Sequence, residues 1–225
     1  MPSLLRGQIK SRIEQSMPYS NFLLLVFSIF TIFIIPLFSD DVQNKLFNIF
    51  ISMLFFFGVM SLTSKRKQYL WFASAAFLVK WASIILSFEF LMNLSQLVSI
   101  LFFFTVISRL IFQIARSKEV NTRIIAEALN GYLLLGLAFS ILVYFISLAR
   151  PGTYIYPAET VHSMSDFLYY TFITMTSTGY GDIAPTTSLT RSLAVLIVIC
   201  GQFYLGVIIA MLVGKFTAQR ALEKD

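Results

Sequence analysis

Six stretches of this chain are long and apolar enough to constrain everything else about it. They run from Asn21 to Phe38, Leu46 to Leu62, Tyr69 to Phe88, about Leu91 to Ala115, Ile124 to Leu148 and Ser192 to Phe216. A hydrocarbon core of about 30 Å is crossed by roughly 20 helical residues, so each run reads as one span. With 57% hydrophobic residues and 24 Phe, and a mean hydropathy of +0.79, a soluble domain of this size is excluded. The expected class is an all-α membrane protein with six transmembrane helices in a lipid bilayer. The first run follows Arg6, Lys10 and Arg12 but lacks a small-residue cleavage pattern, so it is expected to remain as the first span.

A net charge of +6 would admit a nucleic-acid partner if the bases shared a face. They fall instead in short connections between apolar runs, which points to sidedness and not to nucleic acid. Arg6, Lys10 and Arg12, then Lys65, Arg66 and Lys67, then Arg116, Lys118 and Arg123, then Lys215, Arg220 and Lys224 occupy every second boundary. Asp40, Asp41, Glu89, Glu159, Asp166 and Asp182 lie at the others, with only Lys45, Arg150 and Arg191 as bases. An even number of spans with both termini cytoplasmic fits this alternation, in a multi-pass protein of the cell membrane. The single cysteine, Cys200, excludes an intrachain disulfide and reads as a small buried hydrophobe. No metal-spaced His/Cys set and no phosphate-type glycine loop is present, so neither an enzyme nor a resident cofactor is expected.

Between the fifth and sixth runs lies Thr176-Ser177-Thr178-Gly179-Tyr180-Gly181-Asp182. Glycines at alternate positions permit a backbone with repeated positive φ, which most residues resist. Such a backbone turns its carbonyls in one direction, and several copies around an axis would stack rings of oxygens able to replace a cation's hydration shell. The preceding Asp166 to Met175 reads as a helix capped by Ser163 or Ser165, with Asp166 suited to its N-terminal dipole. It is too short to span, so it must enter and return, with its C-terminal carbonyls toward the membrane centre. Irregular backbone at that depth requires protein or water around it.

This stretch resembles the potassium-channel signature, usually T-x-G-Y-G-D with a preceding Thr. The resemblance covers about Ile124 to Phe216, and the order of spans resembles the six-segment voltage-gated-like superfamily. It implies potassium sites at the carbonyls of Ser177, Thr178, Gly179 and Tyr180, completed by the Ser177 hydroxyl, with Thr176 and Gly181 bounding them and Asp182 at the mouth. It implies that Tyr180 points away from the axis, supported by Tyr170 and Thr174. Gly201 falls where the family commonly has an inner-helix hinge, close packing being the alternative. Val207, Ala210, Met211 and Gly214 lie where inner helices converge on a hydrophobic gate. One filter segment per chain implies a homotetramer around a central pore. Two departures stand out: Ser177 replaces the usual Thr, and Thr178 the usual Val or Ile, which leaves a hydroxyl needing a partner. Ile173 leaves no carboxyl behind the filter to pair with Asp182.

The organisation expected is residues 1–20 as a cytoplasmic segment, 21–117 as a four-helix voltage-sensor-like unit, 118–218 as the pore unit and 219–225 as a short cytoplasmic tail, without a further ligand-binding domain. A voltage sensor of the resembled family carries a base at every third position of its fourth helix. Here Leu91 to Ile107 has none, and Arg109 and Arg116 follow near the cytoplasmic interface. Strong voltage sensing is not expected. Lys80, in the middle of the third run, must snorkel, find a hydrated pocket or act as a charge coupled to gating. The fourth span either continues to Ala115 or stops near Ile107, leaving Arg109 to Arg123 as an interfacial helix. Gly131 and Gly136 in the fifth run allow close helix contact, and His162 in the following loop is the only histidine. The readings to separate are a potassium-selective channel, a weakly selective cation channel of the same architecture, and a subunit of a potassium transporter; a membrane scaffold with a relic pore is argued against by the intact signature.

Overall fold

The computed structural model describes residues 19–62, 66–86, 88–117, 120–156 and 163–222. His162, Pro157 and Glu159, the basic residues of 1–18, and Lys65, Lys118 and Lys224 lie outside them. The described helices are α1 (Tyr19–Leu37), α2 (Asp40–Met60), α3 (Arg66–Leu86), α4 (Glu89–Arg116), α5 (Thr122–Ala149), α6 (Met164–Met175) and α7 (Ser188–Leu222). Six of them, all but α6, are long and apolar enough to cross a membrane. The all-helical expectation needs one addition: Tyr154–Ile155 (β1) and Ala184–Pro185 (β2) pair antiparallel. This ladder ties the segment after α5 to the segment before α7.

Local chemistry sets the helix ends. Pro36 cannot donate a backbone hydrogen bond, so α1 loosens into a π turn over Phe30–Ile34 and a 3-10 turn over Ile35–Leu37. The amide of Gln43 recovers carbonyls freed there, donating to Pro36 O at 3.3 Å and Phe38 O at 2.7 Å. Asp40 and Asp41 occupy the first turn of α2, where the helix dipole favours them. Asn121 caps α5 by accepting from the Ile124 amide at 3.1 Å.

Aromatic rings fill the four-helix half. Phe27 of α1 stacks on Phe57 at 4.9 Å, Phe30 on Phe50 at 4.8 Å, and Phe55 of α2 meets Phe102 of α4 edge-on at 4.8 Å. α4 packs on both α3 and α5, and α6 sits between α5 and α7. α4 is one continuous helix to Arg116, which overturns the alternative of a separate interfacial helix over 109–123. An unbroken apolar face from Phe102 through Val106, Leu110 and Ile114, all buried, keeps it in register with its neighbours.

The last carbonyls of α4 would be orphans without a partner. Lys215, on α7, supplies it: its Nζ donates to Ala115 O at 2.9 Å, to Ser117 O at 2.7 Å and to Ile114 O. An ammonium there also suits the negative end of the helix dipole. Gln219 adds to the clasp by accepting from the Val120 amide at 3.3 Å. Lys215→Met is expected to cost about 1.5–3 kcal/mol, the range for hydrogen bonds to charged groups. Hydrogen exchange at residues 115–117 and 120–121 should accelerate; unchanged protection would show that the clasp holds nothing.

Candidate functional site

Ser163 precedes α6 and its amide donates to Asp166 Oδ2 at 3.0 Å, the reciprocal contact of a capping box. Phe167, Leu168, Tyr170, Thr171 and Met175 are buried, which seats α6 against α5 and α7. Phe172 closes the seat by lying where a Cβ on Gly136 of α5 would stand. Gly131 is used similarly by Tyr204 of α7, whose hydroxyl donates to Ala128 O at 2.8 Å.

The loop after α6 folds back onto its last turn. Thr176 N donates to Phe172 O at 3.0 Å and Ser177 N to Thr174 O at 2.9 Å. Thr178 N and Gly179 N converge on a single oxygen, Ile173 O, at 2.9 and 3.1 Å. Backbone φ is 61° at Ser177, 55° at Gly179 and 80° at Gly181, so every second residue is left-handed. Successive amides of such a backbone form a concave nest, and here the nest grips the Ile173 carbonyl. In a planar trans peptide N–H and C=O point in opposite directions. The carbonyls of Ser177 and Thr178, which share peptides with those two amides, therefore point away from α6. Residues 176–182 are all exposed on the single chain.

The carbonyls of the last turn of α6 are engaged within the chain. Those of Phe172, Ile173 and Thr174 are taken by the loop. Met175 O accepts from Gln202 Nε2 of α7 at 3.3 Å. The alignment of peptide dipoles along α6 persists, and the loop amides cap it.

Thr178 finds the partner its hydroxyl needs. Its Oγ1 lies 3.0 Å from Thr176 Oγ1, which in turn donates toward Phe172 O at 2.8 Å and Ile173 O at 3.2 Å. The two hydroxyls thus pair with each other and with the last turn of α6. Thr174 contributes through its backbone carbonyl.

The aromatic brace at the end of the loop is Tyr169, a residue the sequence reading passed over. Its hydroxyl donates to Asp182 Oδ2 at 2.6 Å. Tyr170, expected to hold Tyr180, is buried with its ring edge-on to Tyr154 at 5.2 Å, and within the chain it makes no described contact with Tyr180, which is 72% exposed. The two neighbouring tyrosines face different directions around α6, because successive residues on a helix are about 100° apart.

The Tyr169 hydroxyl holds the Asp182 carboxyl below its ordinary value, and the same bond pushes the Tyr169 phenol up to about 12. A depressed carboxyl stabilises the fold above its ordinary pKa of 3.8 and loses that contribution as pH falls through the lowered value. The brace is therefore intact across neutral and mildly acid pH. In Tyr169→Phe the carboxyl should titrate nearer 3.8, so NMR of the Asp182 carboxyl should show its midpoint rise. An unmoved midpoint would mean that the backbone amides alone set it.

The loop, its helix and the flanking spans make up a recognisable unit. Residues 131–218 match a family model described as ion channel. No curated protein and no solved structure matches the chain. The matched segment runs from Gly131 in α5 to Ala218 in α7 and contains every residue of the loop.

α7 runs unbroken through Gly201. A Cβ on Gly201 would collide with Met175 at both its side chain and its backbone carbonyl. The glycine is thus required by the close approach of α7 to the end of α6. Beyond it, Val207, Ala210 and Gly214 share an exposed face of α7, while Met211 turns inward and packs on the core.

Two bases of α4 rest on aromatic rings. Arg109 lies over the Tyr69 ring at 5.3 Å and Arg116 over Phe112 at 4.2 Å. Lys80 is 5% exposed and faces the inside of the bundle, so it does not snorkel to lipid. Sequence reasoning also missed Glu127 of α5. Its buried carboxylate accepts from Arg123 Nε at 2.9 Å and from Asn21 Nδ2 of α1 at 3.1 Å, while Asn130 Nδ2 donates to Asn21 O at 2.8 Å. This cluster fastens α1 to α5; the signal available was an acid four residues after a base in an apolar run.

Proposed function

We propose that the chain is one subunit of a potassium-selective channel that assembles as a homotetramer, with residues 176–182 as the filter. The observation that carries the reading is the left-handed backbone at Ser177, Gly179 and Gly181 combined with amides gripping Ile173 O. It gives the loop carbonyls a common direction and leaves them unused within one chain. Four copies around an axis supply the oxygens that replace a potassium ion's water. The 12 residues of α6 extend about 18 Å at 1.5 Å per residue, short of the bilayer core, so the segment enters and returns on one side.

The tetramer also accounts for exposed apolar surface. Only 22% of the apolar window of α7 is buried within the chain, against 50% for α5. Val195, Phe203, Ile209 and Val213 of α7 are each more than half exposed. A neighbouring subunit covers this face and the Tyr180 ring, and Val207, Ala210 and Gly214 converge toward the axis as a gate. The hydroxyl pair of Thr178 and Thr176 favours retained selectivity, because it anchors the departure at 178 behind the ion path. With Arg109 and Arg116 at the end of α4, voltage moves little charge across the field.

The test is current from purified protein in a planar bilayer under a potassium-to-sodium gradient. A reversal potential at the potassium value and a shallow voltage dependence are expected. A reversal near zero would sink the potassium reading and favour a weakly selective cation channel.

A further inference from the structure

The loop of residues 176–182 is held differently at its two ends. Its inner end is fixed by the Thr178 and Gly179 amides on Ile173 O. Beyond Gly179, the backbone groups of Tyr180 and Gly181 form no hydrogen bond among the described residues, so no local bond sets the direction of their peptides. The next hold is the Tyr169 hydroxyl on Asp182, a single bond open to solvent. A denser set follows, made with a segment that precedes it by 34 residues.

Thr186 N donates to Thr153 O at 3.0 Å, and Thr186 Oγ1 donates to Gly152 O at 2.7 Å. Thr190 Oγ1 donates to the same Thr153 O at 3.1 Å, in a buried bond. Between these contacts and the loop, β1 and β2 pair, with Tyr154 opposite Pro185 and Ile155 opposite Ala184. The earlier segment is itself seated. Thr153 and Tyr154 are buried, the Tyr154 ring lies edge-on to Tyr170 of α6 at 5.2 Å, and the Tyr156 hydroxyl lies 3.4 Å from Ser147 Oγ of α5. Gly152 enters it with φ of 81°, a turn that residues with a Cβ resist. Hydrogen bonds shielded from water hold a geometry more firmly than exposed ones, so this set outweighs the lone Tyr169 bond.

We infer that Gly152–Ile155 positions the outer end of the loop, with Thr186 as the positioning residue that joins the two segments by side chain as well as backbone. The inference rests on the reading of residues 176–182 as the ion path. With the inner end gripped by Ile173 O and the outer end tied to Thr153, the peptides of Tyr180 and Gly181 are directed by the span between two fixed points. Loosening the outer point lets them rotate, and a rotated peptide offers an amide where a dehydrated ion needs an oxygen. Ion selection therefore depends on a segment that never meets the ion.

Thr186→Val keeps the backbone bond to Thr153 and removes only the hydroxyl bond to Gly152. In the full chain reconstituted in lipid, amide exchange over residues 180–186 should accelerate at least tenfold. The sodium-to-potassium permeability ratio, read from the reversal potential in a planar bilayer, should rise at least fivefold, with the assembled particle unchanged in size. Thr186→Ser retains the hydroxyl and should restore both readouts to wild-type values. Gly152→Ala strains the other partner of the same bond and should move both readouts in the same direction, which keeps the test available if Thr186→Val fails to fold. Thr105→Val, which loses a hydroxyl bond within α4, should match wild type. Wild-type exchange and reversal in Thr186→Val, or failure of Thr186→Ser to restore them, would overturn the proposal; faster exchange with an unmoved reversal would overturn the role in ion selection. A wild type that passes sodium as readily as potassium would sink the filter reading instead, and the exchange arm would then decide by itself whether Gly152–Ile155 holds the end of the loop.

Discussion

Gly179→Ala is expected to abolish potassium current while leaving an assembled protein of normal size. Gly179 has φ of 55°, and its neighbours at the same phase, Ser177 and Gly181, stand at 61° and 80°. A Cβ added at Gly179 would meet nothing within 4 Å on the single chain. The penalty is therefore conformational, about 1–2 kcal/mol for a left-handed alanine. In the proposed tetramer four subunits multiply it to roughly 4–8 kcal/mol for one ring of carbonyls, and a factor of ten accompanies each 1.4 kcal/mol. A loss of current of 100-fold or more follows, because a rotated peptide presents its amide where the ion needs an oxygen. Size-exclusion chromatography should show the unchanged particle, since the strain is confined to the loop. Full current from this variant would refute the assignment of the loop as the ion path.

Gly201→Val should instead destroy the particle. Here the obstacle is steric: the added carbon collides with the Met175 backbone carbonyl, which is fixed by the end of α6 and by Gln202. Overpacking costs about 1–3 kcal/mol when side chains can yield, and more when the obstructing atom is backbone. The expected result is displacement of α6, loss of assembled protein, and a fall in the unfolding midpoint of any that remains. Gly206→Ala on the same helix meets nothing within 4 Å on the single chain, and it should gain up to about 1 kcal/mol of helix propensity. If both variants unfold alike, the contact between Gly201 and Met175 is not what positions the loop. The two glycines separate two functions: one permits a backbone conformation, the other permits two helices to touch.

Much of this protein is legible in its sequence because its solvent is restrictive. A segment in hydrocarbon must satisfy its own backbone, so length and apolarity alone located all six membrane-length helices. The loop was legible for a similar reason, since alternate glycines have few uses other than a backbone of alternating hand. That reading was incomplete at Ser177, which takes the same left-handed conformation without being glycine. Nothing in its side chain announces this; the convergence of two amides on Ile173 O imposes it.

Tertiary structure decided the contacts whose partners lie far apart in sequence. Periodicity left the end of the fourth run open, and the buried face of α4 together with the Lys215 clasp resolved it as one helix. Tyr169 and Tyr170 are equivalent as letters, yet one reaches Asp182 and the other packs on Tyr154, because adjacent residues on a helix face about 100° apart. Gly201 reads equally as hinge or contact until Met175 is placed against it. Lys80 is an anomaly by hydropathy, and only the convergence of five helices gives it a cavity to face. The sequence by itself determined which segments enter the membrane and which loop can present carbonyls to an ion, since those follow from local backbone chemistry in an apolar solvent. Which side chains brace that loop, and which charge is buried without a partner, was decided by packing across distances that no local pattern records.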